Sequence, residues 1–218
     1  MKQEVIKQIE KKKIIAILRG IAADHIGPVC KALLDGGVTV AEITFDQSDP
    51  SRFAQTAQAI STARQMVGDA MVIGAGTVLT AEQAKLAQQA GAAFFVTPNT
   101  KEEMIRFANA HDIATVIGAM TATECQQAHE WGADFVKLFP SETMGAAYLK
   151  ALRAPLNHLR FIAVGGIDEN NMKSYLQAGA AGVGIGSNLV SAKLAEEENY
   201  AEITRRARMF CAQTEGNQ

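Results

Sequence analysis

Cysteine is nearly absent from this sequence: Cys30, Cys125 and Cys211 are three in 218 residues, odd in number and outside any Cys-x-x-Cys pair. That scarcity excludes a disulfide framework and fits reduced thiols in a cytoplasm, packed as small apolar residues. Histidine is sparse too. His25, His111, His129 and His158 show no metal-ligand spacing, so no metal site is expected and a metal-dependent enolate mechanism is disfavoured. Neither sign of charge dominates, the net charge being only −2. Nucleic acid and anionic membrane are therefore not expected as partners. Apolar runs long enough to span a bilayer are missing, and residues 1–13 lack the apolar centre of a signal peptide. With Val5, Ile6 and Ile9 among charges, that segment reads as a short amphipathic helix capping the domain.

What is present is apolar sequence in short pieces. Eight runs recur, at 14–18, 40–45, 71–73, 94–96, 114–117, 135–139, 161–164 and 182–185, with helical stretches such as 81–90, 101–111, 122–131 and 170–178 between them. Alternation of this kind builds βαβ units and a parallel sheet. Eight repeats in one chain of 218 residues, with no linker or low-complexity break, predict a single α/β domain, a compact (β/α)8 TIM barrel. The tail after Gln213 is expected to fray. An internal echo supports the barrel: Gly36-Gly37-Val38, Ala90-Gly91-Ala92, Trp131-Gly132-Ala133 and Ala178-Gly179-Ala180 each lead into an even-numbered strand. A glycine there serves as a helix C-cap at positive φ.

Ionisable residues inside the strands are two, Glu42 and Lys137. Arg19 stands at the end of the first strand. Alternation puts Val40, Glu42 and Thr44 on one face and Phe135, Lys137 and Phe139 on another, so both charges point into the barrel if Ile43 and Leu138 pack on the helices. Burying a lone ammonium is costly, and a desolvated lysine tends to become a neutral amine suited to attack a carbonyl. The plainer alternatives are a buried ion pair or a lysine snorkelling from the strand end. Glycine-rich turns follow strands 7 and 8, Val164-Gly165-Gly166-Ile167-Asp168 and Gly184-Ile185-Gly186-Ser187-Asn188. In this fold such turns, feeding helix N-termini, make an anion pocket; tight-turn geometry alone is the other explanation. Strand 3 ends Gly74-Ala75-Gly76-Thr77-Val78, where small residues keep the mouth open and the Thr77 hydroxyl can hold a carboxylate.

Taken in order along 14–189, these features resemble the 2-keto-3-deoxy-6-phosphogluconate / 4-hydroxy-2-oxoglutarate aldolase family. The residues that carry the likeness are Ile-Leu-Arg-Gly at 17–20, Gly-Gly-Val at 36–38, Glu-Ile-Thr at 42–44 and Gly-Ala-Gly-Thr-Val at 74–78. Thr-Pro-Asn at 97–99, Lys-Leu-Phe-Pro at 137–140, Gly-Gly-Ile at 165–167 and Gly-Ser at 186–187 continue it. The resemblance implies a (β/α)8 homotrimer in the cytoplasm acting without metal or cofactor on a 2-keto acid or sugar-acid phosphate. It implies Lys137 as the Schiff-base lysine, Glu42 as general acid and base, Thr77 at the pyruvyl carboxylate, and Phe139 beside the site. Gly165, Gly166, Gly186 and Ser187 match the phosphate end.

Several relatives carry an arginine four residues after the catalytic glutamate, where this chain has Asp46, and Arg19 could supply the charge. Residues 97–99, 139–141 and 163–166 look closer to the phosphogalactonate branch. The leading expectation is a class I aldolase acting on 2-keto-3-deoxy-6-phosphogluconate, with the galactonate epimer as alternative and 4-hydroxy-2-oxoglutarate as a further substrate. A phosphate-binding isomerase or epimerase using Glu42 alone, or a non-catalytic sugar-acid binding protein, are the competing readings.

Overall fold

The computed structural model describes residues 1–214, so of the tail expected to fray only Thr214 is among the described residues. Eight strands, β1 (Ile14–Leu18), β2 (Val40–Thr44), β3 (Val72–Gly76), β4 (Phe94–Val96), β5 (Ala114–Ala119), β6 (Phe135–Leu138), β7 (Phe161–Val164) and β8 (Gly182–Ile185), close into a barrel in chain order. Every neighbouring pair is parallel, and β8 returns to β1 through Val183 opposite Ile14. This is the (β/α)8 fold that the alternation predicted. The crossovers are carried by α2 (Ala23–Asp35), α3 (Phe53–Val67), α4 (Ala81–Gln89), α5 (Glu102–Ala110), α6 (Ala122–Glu130), α7 (Ser141–Arg153) and α8 (Met172–Gln177), preceded by α1 (Lys2–Lys12) and followed by α9 (Ala192–Glu196) and α10 (Tyr200–Ala212). Among the described residues no helix is long and apolar enough to cross a membrane.

Side-chain alternation sorts the apolar residues into two cores. One lies between strands and helices and includes Ile43 and Leu138; the other fills the barrel with Ile15, Ile17, Val40, Phe94, Phe135 and Ile162. Phe94 and Phe135 are almost fully buried, each contributing about 1.5–3 kcal/mol of transfer free energy. Ile6 and Ile9 of α1 join the interior core, so this helix plugs the N-terminal mouth. It is tied there by Lys2 to Asp134 at 3.0 Å and Glu10 to Arg160 at 3.3 Å, both acceptor and donor lying just before a strand. The opposite mouth, at the strand C-termini, is left for chemistry.

The repeated glycine before each even-numbered strand is a left-handed cap, at φ 94 in Gly37, 81 in Gly91, 94 in Gly132 and 94 in Gly179. Most boundaries shift from expectation by a residue or two, and two of the shifts have a visible cause. Strand β3 runs to Gly76 instead of stopping at Ile73, because Gly74 pairs with Glu42 of β2 and leaves room for the Phe94 ring where a Cβ would stand. Helix α8 begins at Met172, not at 170. Asp168 Oδ1 accepts from the amides of Asn170 and Asn171 at 2.8 and 2.9 Å, which holds those residues in a turn.

Candidate active site

Strands β2 and β6 stand across the eight-strand ring from each other, and each sends one ionisable side chain toward the axis. Glu42 follows Val40 on the inner face of β2, and Lys137 follows Phe135 on that of β6. Only 3% of Glu42 and 6% of Lys137 is exposed, and they are the only charged residues among the buried ones described. Gly76 creates the space for the carboxylate, since a Cβ there would overlap Glu42 Oε2. That oxygen is buried with no hydrogen-bond partner. The two groups feel each other's charge, yet no ion pair joins them among the described residues. The buried-ion-pair alternative therefore loses its geometry.

Electrostatics pushes the pair toward its neutral form. Burial raises the Glu42 carboxyl above the usual carboxylate range, against the opposing charges of Lys137 and Arg19. Burial lowers the Lys137 ammonium below its ordinary value; Glu42 opposes this and Arg19 assists it. The Phe139 ring lies 4.6 Å from Lys137 Nζ, a contact that favours a cation, but desolvation is the larger effect. Both shifts favour a neutral amine and a carboxylic acid, the two forms that attack a carbonyl and protonate its oxygen.

At the C-terminal mouth Arg19 is exposed just past β1 and lines a cavity of about 730 Å³ together with Thr44, Asp46, Gln47, Ser48 and Thr77. Neither Glu42 nor Lys137 lines this cavity, and Arg19 links the two by its charge, which both groups feel. Thr77 is half-buried and left-handed at φ 56, an uncommon conformation for a β-branched residue. Asp46 is exposed, and its Oδ1 accepts from the Ser48 amide at 3.0 Å and hydroxyl at 2.7 Å. Those bonds hold its carboxyl below the usual range, so it is an anion that organises its own loop.

Around the rim, next to β1, stand the turns after β7 and β8. Gly165 and Gly166 take φ 100 and 67. Neither turn feeds a helix directly, since α8 and α9 begin at Met172 and Ala192. Side chains the sequence reading did not single out brace them. Asn188 Nδ2 donates to Ile167 O at 2.8 Å and joins the two turns; Arg206 Nη1 donates to Ser187 O at 3.3 Å and Asn188 O at 3.2 Å. Glu142, also unforeseen, presses its carboxylate against Gly166, placing negative charge beside the turn assigned to an anion. Lys137, Glu42, Phe139, Arg19 and Thr77 thus gather at one mouth, with Gly165, Gly166, Gly186 and Ser187 on its adjoining rim.

Known proteins resemble this chain in sequence and fold. The profile of the family described as "Aldolase: KDPG and KHG aldolase" matches residues 5–206. The 2-dehydro-3-deoxy-6-phosphogalactonate aldolase of Escherichia coli is 39% identical over 183 residues, 84% of this chain and 86% of that one. The 2-dehydro-3-deoxy-phosphogluconate aldolase of Treponema pallidum is 33% identical over 201 residues, 92% of each chain. Among solved structures, a KDPG aldolase from Legionella pneumophila with pyruvate captured as a covalent carbinolamine is similar with a TM-score of 0.83 and 26% identity, covering 95% of this chain and 97% of that one. The chain belongs to the KDPG and KHG aldolase family and is an aldolase, a lyase of carbon–carbon bonds.

Proposed function

We propose that this aldolase is of class I and cleaves a 2-keto-3-deoxy-6-phospho sugar acid, 2-dehydro-3-deoxy-6-phosphogluconate first, to pyruvate and glyceraldehyde 3-phosphate. The observation that carries the reading is Lys137, a desolvated amine inside the barrel beside a carboxyl group that burial keeps protonatable. Lys137 Nζ attacks C2 of the keto acid, and Glu42 protonates the carbinolamine hydroxyl, which leaves as water to give an iminium ion. Glu42, now a carboxylate, takes the C4 hydroxyl proton as the C3–C4 bond breaks; the bonding electrons enter the iminium and form an enamine. Departure of the aldehyde is followed by proton return to C3 and hydrolysis to pyruvate, freeing Lys137. The covalent carbinolamine of the Legionella relative supports the first step.

In this reading Arg19 and Thr77 hold the carboxylate next to the imine, and the β7 and β8 turns hold the distal phosphate. A guanidinium matches a carboxylate in two parallel hydrogen bonds, which is why Arg19 is assigned that end. Asp46, an anion where relatives carry arginine, disfavours a second carboxylate nearby and accepts from a substrate hydroxyl. That residue and the 39% identity to the phosphogalactonate enzyme favour a second reading, cleavage of the C4 epimer.

The test is a lactate-dehydrogenase-coupled assay of pyruvate release from both epimers, from their unphosphorylated forms and from 4-hydroxy-2-oxoglutarate. One phosphorylated epimer is expected to exceed 4-hydroxy-2-oxoglutarate in kcat/KM by at least about tenfold, the worth of one good charged contact. Equal rates with and without phosphate would overturn the assignment of the β7 and β8 turns. The reading also carries the homotrimer implied by the family resemblance and a cytoplasmic setting. Sedimentation equilibrium at micromolar protein should give three times the mass of the 23.3 kDa chain, and a monomer would refute it.

A further inference from the structure

Behind Thr77 runs a short chain of amide groups. Gln83, completely buried in the first turn of α4, accepts at Oε1 from the Leu79 amide at 2.7 Å and the Thr80 amide at 3.1 Å. Two backbone donors fix which end of that side chain is oxygen, so its Nε2 must donate. It donates to Gln47 Oε1 at 3.0 Å, which in turn obliges Gln47 to present Nε2 to its other partner. That partner is the carbonyl of Thr77, at 3.0 Å. An anchor inside α4 therefore reaches through an exposed loop residue to the backbone of the strained threonine.

The strain explains why the last bond matters. A β-branched residue at φ 56 persists only where its surroundings over-determine it. On either side of Thr77 the backbone is pinned by neighbouring strands, Gly76 O accepting from the Phe45 amide at 2.9 Å and the Val78 amide donating to Val96 O at 3.1 Å. Thr77's own carbonyl is pinned by Gln47 alone among the described residues. Without it, that peptide is held only through its Val78 amide, and the left-handed backbone that aims the hydroxyl loses one of its few restraints. The hydroxyl makes no hydrogen bond to another described residue, so it is positioned and uncommitted.

We infer that Gln47 is a positioning residue: anchored by Gln83, it holds Thr77 so that the hydroxyl meets the carboxylate of the keto acid. This rests on the assignment of Thr77 to that carboxylate. Since Gln47 is exposed, methionine fits in its place, keeping its length while removing both bonds and leaving the buried Gln83 Nε2 without its acceptor. The readout is borohydride trapping of pyruvate, followed as mass gained by the chain at varied pyruvate concentration, with thermal melts alongside.

Gln47→Met should raise the half-saturating pyruvate concentration about tenfold, the loss of one hydrogen bond to a charged group, with the maximal trapping rate unchanged. Thr77→Ala should do the same, and adding Gln47→Met to it should cost less than about twofold more, because residues acting in series are not additive. Normal half-saturation in Gln47→Met with a weakened Thr77→Ala would overturn the relay and leave Thr77's role standing. Additive losses, or a lowered melting temperature with unchanged half-saturation, would also overturn it. An unaffected Thr77→Ala would remove the assignment of Thr77 itself, and the relay with it.

Discussion

Arginine in place of Lys137 should abolish aldol turnover, a fall of about four orders of magnitude or more, as when a covalent nucleophile is removed. A guanidinium keeps the charge but cannot surrender a proton to become a nucleophile. Because the site is 6% exposed, the larger side chain also strains the barrel, so Lys137→Met is the companion variant. Methionine fills similar space and should fold at least as well as the parent. The sign follows from the lowered lysine value: between the folded and ordinary values the unfolded chain binds the extra proton. The penalty on folding is therefore full below the folded-state value and gone above the ordinary one, near 10.5. At neutral pH Lys137→Met should accordingly melt no lower than the parent while gaining no mass on borohydride treatment with pyruvate. Near-normal turnover in either variant would refute the Schiff-base assignment.

The barrel was legible because its strands are apolar on both faces and its helices end in a repeated glycine signal. Six of the eight strands need no more than their run of Ile, Val, Phe and Leu to be placed, and the boundaries then drift by a residue or two at caps. β3 drifted further since two of its five residues are glycine, which propensity reads as a turn. What made them strand was a neighbour's bulk, the Phe94 ring and the Glu42 carboxylate occupying the missing side-chain space. No local pattern carries that information.

The same division runs through the site. Lys137 and Glu42 stand out in sequence because a charge inside an apolar strand conflicts with everything around it. Gln47, Asn188 and Arg206 conflict with nothing: each is a polar residue in a polar loop or helix. Their significance comes from partners far along the chain, 36 positions between Gln47 and Gln83 and 18 between Arg206 and Asn188. Gln83 left a partial trace, the Thr80-x-x-Gln83 capping box at the start of α4, but that signal marks a helix end and says nothing of a reach toward Thr77. The Gly165-Gly166 turn shows the converse. Its sequence suggested an anion pocket backed by helix N-termini, whereas in the fold the bracing comes from Asn188 and Arg206, and Glu142 lies against it.

Glutamine in place of Glu42 should separate bond-making at Lys137 from the proton transfers that follow. The amide keeps shape but neither gives nor takes a proton at the required steps, so kcat should fall by about 10²- to 10⁴-fold, the range for a positioned acid–base group. Slow trapping of pyruvate should survive, because Lys137 still attacks C2. Loss of binding with kcat unchanged would instead make Glu42 a positioning group. Stability gives an independent reading. Glu42's folded value lies above its ordinary one, so between the two the folded chain holds a proton that the unfolded chain releases. Stability owed to that proton is present below the ordinary glutamate value, near 4.5, and is lost as pH rises through the folded value. A glutamine has no such loss. The melting temperature of Glu42→Gln relative to the parent should therefore increase from pH 4 to pH 8. A difference that shrinks over that interval would mean Glu42 is an ordinary stabilising carboxylate paired with Lys137, and the neutral amine on which the covalent step depends would be gone.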